Sequence, residues 1–177
     1  METPSTGFMK DDLTFSGWVM LRLQPKMYDW RDWVLSVCND NKDMYIKPEF
    51  DCHVTLVGGV HRDDVMRYYK NGAFPLEIVG IITAENFISY FDNDMTAAKF
   101  AVKDSVSVSD LWAYRNEVFA QCRCIEHYPN FQPHITVGYL KKGERLPESL
   151  RMQTPHEFYI ESISFSITQD NGQTLEW

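Results

Sequence analysis

Two short segments of this chain, His53-Val54-Thr55-Leu56 and His134-Ile135-Thr136-Val137, repeat one pattern 81 residues apart. Side chains that follow one another along a strand point to opposite faces. In each segment the histidine and threonine therefore project together, while Val54 and Leu56, or Ile135 and Val137, turn the other way into apolar packing. The fold must bury one face of each strand and leave the polar face open. Two such strands facing each other would gather two histidines and two threonines around one space.

The rest of the chain supplies the support for these strands. Gly17 to Leu23 alternates, with Val19, Leu21 and Leu23 on one face and Trp18, Met20 and Arg22 on the other, which predicts a first strand. Tyr28 to Cys38 predicts a helix, because Trp30, Trp33, Val34 and Val37 recur at helical spacing. The strand begun at His53 is expected to stop at Val57, with Gly58-Gly59 as a sharp change of direction. A short helix over Asp63 to Tyr69 and a turn at Asn71-Gly72 follow. Leu76 to Ile82, Phe87 to Phe91 and Ala98 to Val102 are β-prone, the last two joined through Asp92-Asn93-Asp94.

A second long helix is expected to be capped by Ser107, to bury Val108, Leu111, Trp112 and Val118, and to end near Cys124. The second motif strand, His134 to Tyr139, starts directly after Pro133. Lys141 to Arg145 is a loop, and Pro147 interrupts any helix there. Phe158 to Thr168 is again β-patterned, but its apolar phase changes between Ile160 and Ile163, which predicts a bulge or bend. The expected architecture is α+β or mixed α/β. Residues 1–14 are a flexible lead-in, and 15–177 form a single domain.

With 177 residues, 44% of them hydrophobic, the chain can bury one sizeable core and leaves no room for a second independent domain. Its 25 acidic and 17 basic residues give a net charge of -8, which disfavours long duplex nucleic acid as a partner. A short phosphate ester in a local basic pocket remains compatible with that charge. The cysteines at 38, 52, 122 and 124, in a chain without a secretory leader, suggest reduced thiols and a cytoplasmic protein. Cys122-Arg123-Cys124 lacks the second ligand pair that structural zinc needs. No apolar run approaches the roughly 20 residues of a membrane helix. Neither glycine-rich nucleotide-binding signature, G-x-G-x-x-G or G-x-x-x-x-G-K-[ST], occurs.

Histidine exchanges a proton near neutral pH, with an unperturbed pKa of about 6.5. One of His53 and His134 can take a proton from water or from a ribose 2'-hydroxyl, and the other can protonate the departing oxygen. Thr55 and Thr136 can hold non-bridging phosphate oxygens. With nucleophile and leaving group both served, phosphodiester cleavage needs no cofactor and no metal. A single copy would be an ordinary His and Thr on a half-exposed strand; the repetition argues otherwise. A metal held by His53, His61, His134 and Asp51 is the competing arrangement, but that spacing specifies no coordination set. We take His53 as base and His134 as acid, an order that the residues leave open.

At these residues the chain resembles the two-histidine (2H) phosphoesterase family, also called LigT-like, whose H-x-[T/S]-x pattern occurs twice. Gly17-Trp18-Val19-Met20-Leu21-Arg22-Leu23 looks like that family's first strand. Phe91 to Val102 looks like the hairpin before its second long helix, and Phe131-Gln132-Pro133-His134 like the approach to its second motif. The resemblance covers roughly residues 15–168. It implies a bilobal α+β fold, with two pseudo-symmetric lobes whose antiparallel sheets line a central cleft, helices outside, and one H-x-T from each lobe on the floor. It implies phosphodiesterase activity on short 2'-5' linked or cyclic oligonucleotides, with a viral or phage member countering host nucleotide-based immune signalling. Opening of 2',3'-cyclic phosphates in RNA processing is the alternative enzyme reading, and a non-catalytic nucleotide sponge or sensor is the alternative outside catalysis. A monomer in the cytoplasm, the host's if the source is viral, is expected.

Tyr139, Trp18, Tyr28 and Tyr90 are candidates to stack on a base. Arg22, Lys47 and Arg62 are candidates to raise the local positive potential around a phosphate, and Arg22 is also a candidate phosphate contact. His61, His127 and His156 lack the H-x-T context and are expected to be non-catalytic, and the cysteines are expected to be buried packing.

Overall fold

β1 (Gly17–Pro25) buries Val19, Leu21 and Leu23 on one face and leaves Trp18, Met20 and Arg22 on the other, as its alternation predicts. The computed structural model describes residues 13–43, 45–71, 81–90, 95–102, 105–125, 131–144 and 156–176. The elements that follow β1 are α1 (Trp30–Asp40), β2 (Tyr45–Pro48), β3 (His53–Val60), α2 (Arg62–Asn71), β4 (Ile81–Tyr90), β5 (Met95–Val102), α3 (Ser105–Gln121), β6 (His134–Lys141), β7 (His156–Thr168) and β8 (Thr174–Glu176). The fold is mixed α+β; among the described residues it comprises an eight-stranded antiparallel sheet with three helices.

The strand pairings close on themselves. β1 pairs β3, β3 pairs β6, β6 pairs β5, β5 pairs β4, β4 pairs β7, and β7 returns to β1. Two half-sheets result, β3-β1-β7-β8 and β2-β6-β5-β4, joined at two seams. One seam is the first stretch of β7, where His156 to Tyr159 pair Ala84 to Ile81 of β4. The other is the contact of β3 with β6.

β7 can serve both halves because it is long and bends. Leu23 lies opposite Ile160 and Arg22 opposite Ser162, so Glu161 is the extra residue of a β-bulge. This is the position where the apolar phase of the sequence changes.

The helices cover the apolar faces. α1 is capped by the Asp29 carboxylate, which accepts from the Asp32 backbone N–H at 2.9 Å. It presses Trp30 edge-on to Phe100 and Phe158. α2 stacks Tyr68 on Phe165, and α3 contributes the fully buried Leu111 and Val118. Among the described residues no helix is long and apolar enough to cross a membrane.

Three local expectations are corrected. β3 does not stop at Val57 but runs through Gly58-Gly59 to Val60. Gly59 has a φ of 80° and falls outside the pairing of Gly58 with Trp18 and Val60 with Gly17, so it is a bulge inside the strand. Leu76 to Ile82 and Phe87 to Phe91 were expected as separate strands, whereas β4 is continuous from Ile81 to Tyr90. Residues 72–80, 91–94 and 145–155 lie outside the described residues, as do residues 1–12 of the expected lead-in, the Asp92-Asn93-Asp94 turn and Pro147. Finally, α3 starts two residues before Ser107. The buried Ser107 hydroxyl instead accepts from the Thr83 backbone N–H at 3.3 Å, tying the helix to β4.

Candidate active site

β3 and β6 pair at one position among the described residues, Val54 opposite Ile135. In an antiparallel pair, a step along one strand matches a step back along the other. His53 is therefore set against Thr136, and Thr55 against His134. Val54 is also opposite Leu21 of β1, and Ile135 opposite Phe100 of β5. A cross-strand row of Leu21, Val54, Ile135 and Phe100, each at most 1% exposed, thus forms the floor. Both H-x-T pairs stand on its far side and are partly exposed.

The two strands match beyond the motif. Their burial alternates identically over the first seven residues, and each carries a bulge at the same place. In β3 the pairing with β1 skips Leu56; in β6 the pairing with β5 skips Val137. The bulge restores the polar-face phase three residues after the threonine, at Gly58 in one strand and Tyr139 in the other.

Gly58 is required at its position by close approach. A Cβ there would lie 2.6 Å from the Trp18 ring, which spreads across the glycine and remains 46% exposed. Tyr139, the equivalent of Gly58, is half-buried, with the Lys47 ammonium 5.4 Å from its ring centroid. Each half-sheet therefore supplies an aromatic ring beyond its bulge, from β1 in one case and from β6 in the other.

The imidazoles are held alike. Nδ1 of His53 donates to the Asp51 carbonyl, and Nδ1 of His134 donates to the Gln132 carbonyl, both at 2.9 Å. A carbonyl can only accept, so each bond fixes the proton on Nδ1 and leaves Nε2 as the exchangeable nitrogen. Burial, reinforced by the Lys99 ammonium, holds the His134 pKa below the ordinary histidine value; the Gln132 bond opposes this and His53 adds to it. The Val54–Ile135 pairing sets the two imidazoles on neighbouring strands of one face.

Two groups near the motifs escaped the sequence reading. Ala98, Phe100 and Val102 of β5 are buried in the core, so Lys99 projects from the opposite face, and it lies across from Thr136. It is 8% exposed, and burial lowers its pKa. The signal was a lone lysine inside the β-prone run Ala97-Ala98-Lys99-Phe100-Ala101-Val102. Ser162, Ser164 and Ser166 of β7 lie opposite Arg22, Met20 and Trp18, a polar stripe on the side of β1 away from the His53 strand.

Of the other candidates, Arg22 lies across from His53. Its guanidinium donates to Glu176 and is 3.7 Å from Asp51. Tyr28 packs against Trp33 and the core, with burial pushing its hydroxyl pKa up, which fits packing better than base stacking. Tyr90 is opposite Thr96 at the end of β4, and its side chain lies outside the described residues. Arg62 donates to Asp170 at 2.7 Å. His61 is at the far end of β3, edge-on to Phe15. His127 lies outside the described residues, and His156 opens β7 opposite Ala84. All four cysteines are unpaired with one another. Burial raises the thiol pKa of Cys38 and Cys122 to about 11 and of Cys124 to about 12. Among the described residues no three His, Cys, Asp or Glu side chains gather into a group able to hold a metal ion.

No protein-family model matches this chain, and no curated protein sequence does. Solved structures do. The structure of Kluyveromyces marxianus Usb1 matches with a TM-score of 0.54 over 92% of this chain and 97% of that one, at 13% identity. Kluyveromyces marxianus Usb1 with uridine monophosphate matches with a TM-score of 0.51 over 92% and 98%, at 9% identity. The chain has the two-histidine phosphoesterase-like fold.

Proposed function

We propose that this chain is a phosphodiesterase that acts on short RNA or on an RNA end by two-histidine acid–base catalysis. The observation that carries the proposal is the matched pair of imidazoles around the Val54–Ile135 position, each with Nδ1 tied to a carbonyl and Nε2 free to exchange a proton. A neutral imidazole held this way accepts a proton at Nε2, and a protonated one donates from the same atom.

Burial and the Lys99 ammonium lower the His134 pKa and so disfavour its protonated form. That favours His134 as base and His53 as acid, the reverse of the order taken from the sequence. Nε2 of His134 removes a proton from a ribose 2'-hydroxyl or from water. The new O–P bond forms as the opposite P–O bond breaks, and His53 supplies the proton to the departing oxygen. Thr55 and Thr136 donate to the non-bridging oxygens. Trp18 and Tyr139 are stacking surfaces for the bases on either side. With nucleophile and leaving group both served, the step requires no metal.

The fold likeness to a protein solved with uridine monophosphate supports a ribonucleotide end as substrate, and 2',3'-cyclic phosphate opening as its simplest form. It favours RNA-end chemistry over the 2'-5' or cyclic defence-signalling oligonucleotides first expected. The test is a panel of 2',3'-cyclic mononucleotides, short oligouridylates, 2'-5' oligoadenylates and cyclic dinucleotides in EDTA, with products resolved by mass. Turnover of the first two classes is expected. Preference for the last two would restore the signalling reading, and tight binding without turnover would make the protein a nucleotide sponge or sensor.

A further inference from the structure

The pseudo-twofold that relates β3 to β6 also relates their outer neighbours, β1 and β5. Met20 lies across from Thr55, and at the equivalent place Lys99 lies across from Thr136. One threonine thus stands beside a thioether and the other beside an ammonium. The core-facing alternation of Ala98, Phe100 and Val102 leaves Lys99 no other direction than the H-x-T face. Arg22, across from His53 on the other half of the site, is held by Glu176 and Asp51.

We propose that Lys99 is a further catalytic residue of this site, its ammonium holding a non-bridging phosphate oxygen beside Thr136 and stabilising the charge that builds there. This rests on the phosphodiesterase reading. A diester enters with one negative charge and gains a second as the nucleophile adds to phosphorus. Threonine hydroxyls are neutral donors, whereas a fixed cation in a water-poor site opposes that charge directly. Lys99 transfers no proton. Proton movement stays with His134 and His53, and the electron pair of the breaking P–O bond leaves with the departing oxygen.

Burial also strengthens the contact: between an ammonium and a phosphate oxygen taken out of water the attraction is far larger than in bulk solvent. Because Met20 occupies the equivalent place, the oxygen beside Thr55 has a thioether rather than an ammonium across from it. The site therefore distinguishes the two ends of its substrate although its histidines are matched.

The experiment compares the intact chain with Lys99→Met and Lys99→Arg, using whichever substrate of the panel the unmodified protein turns over. Lys99→Met should remain folded and lose about 100-fold in kcat, the scale of one transition-state donor, and Lys99→Arg should recover at least part of that loss. Independently of turnover, inorganic phosphate added to the unmodified protein should shift the NMR resonances of the Lys99 side chain, and Lys99→Met should weaken phosphate binding. A folded Lys99→Met that keeps its kcat, or a Lys99 signal indifferent to saturating phosphate, overturns the proposal. Should the unmodified protein cleave nothing, the phosphodiesterase reading fails, and the phosphate titration still decides whether Lys99 belongs to an anion site.

Discussion

Val54 and Ile135 face each other at the one described position where β3 and β6 pair, and the two H-x-T segments run in opposite directions from that point. Both side chains are fully buried. The relative placement of His53 and His134 therefore depends on an apolar contact rather than on any bond between the polar groups themselves.

Ile135→Ala should consequently cost about 3 kcal/mol of folding stability, within the range for large-to-small core changes. Ile135→Val should cost about 1 kcal/mol and leave turnover nearly intact. Denaturant unfolding beside steady-state kinetics checks both. An Ile135→Ala protein with unaltered stability would mean that this seam does not hold the halves together.

The pH dependence follows from His134. Its folded pKa is lowered, so the unfolded chain binds more protons below about pH 6.5, the ordinary histidine value. Stability should fall as pH drops below that value and be insensitive to His134 above it. With His134 as the base, the acid limb of kcat/KM should also lie below the ordinary histidine value, and Lys99→Met should move it upward by removing the repelling charge. A limb that stays put in Lys99→Met would detach His134 from the ammonium.

Gly58→Ala should push the Trp18 ring off the strand, because the added methyl group would sit 2.6 Å from it. If the ring is a base platform, Gly58→Ala and Trp18→Ala should both weaken binding of uridine monophosphate, by about 1–3 kcal/mol for the lost stack. Calorimetric titration measures this. Unchanged affinity in Trp18→Ala would leave the exposed indole without a role in recognition.

Asp64 ties the start of α2 to the chain after α3. It accepts from the Arg123 backbone N–H at 2.7 Å and from its guanidinium at 3.1 Å. The bonds from Arg123 hold the Asp64 pKa below the usual carboxylate range. The stabilisation should be fully present above about pH 4, the unfolded aspartate value, and disappear as pH falls through the lower folded one. Asp64→Asn should cost about 2 kcal/mol, as expected for hydrogen bonds to a charged group, and should flatten the acid limb of the stability curve.

The elements that were legible in the sequence are those dictated by a local period. The His/Thr alternation announced two half-buried strands, and the phase change between Ile160 and Ile163 marked the Glu161 bulge. What stayed hidden depends on partners distant in sequence. Gly58-Gly59 has the composition of a turn, but the Trp18 ring across the sheet calls for glycine at 58 and the positive φ of the bulge for glycine at 59. Lys99 carries no motif; its place emerges when β5 is laid beside Thr136. The proposed acid and base roles were equally hidden, because two matched histidines differ only through neighbours that the fold brings to them.

The most direct measurement is turnover of a 2',3'-cyclic mononucleotide or short oligouridylate, in EDTA, by the unmodified chain, His53→Ala, His134→Ala and the double variant. Two-histidine catalysis predicts a loss of about 100- to 10,000-fold for each single variant, with little further loss in the double, since the two groups act as a unit. Retention of most activity by either single variant, or activity that disappears only with the chelator, would contradict it.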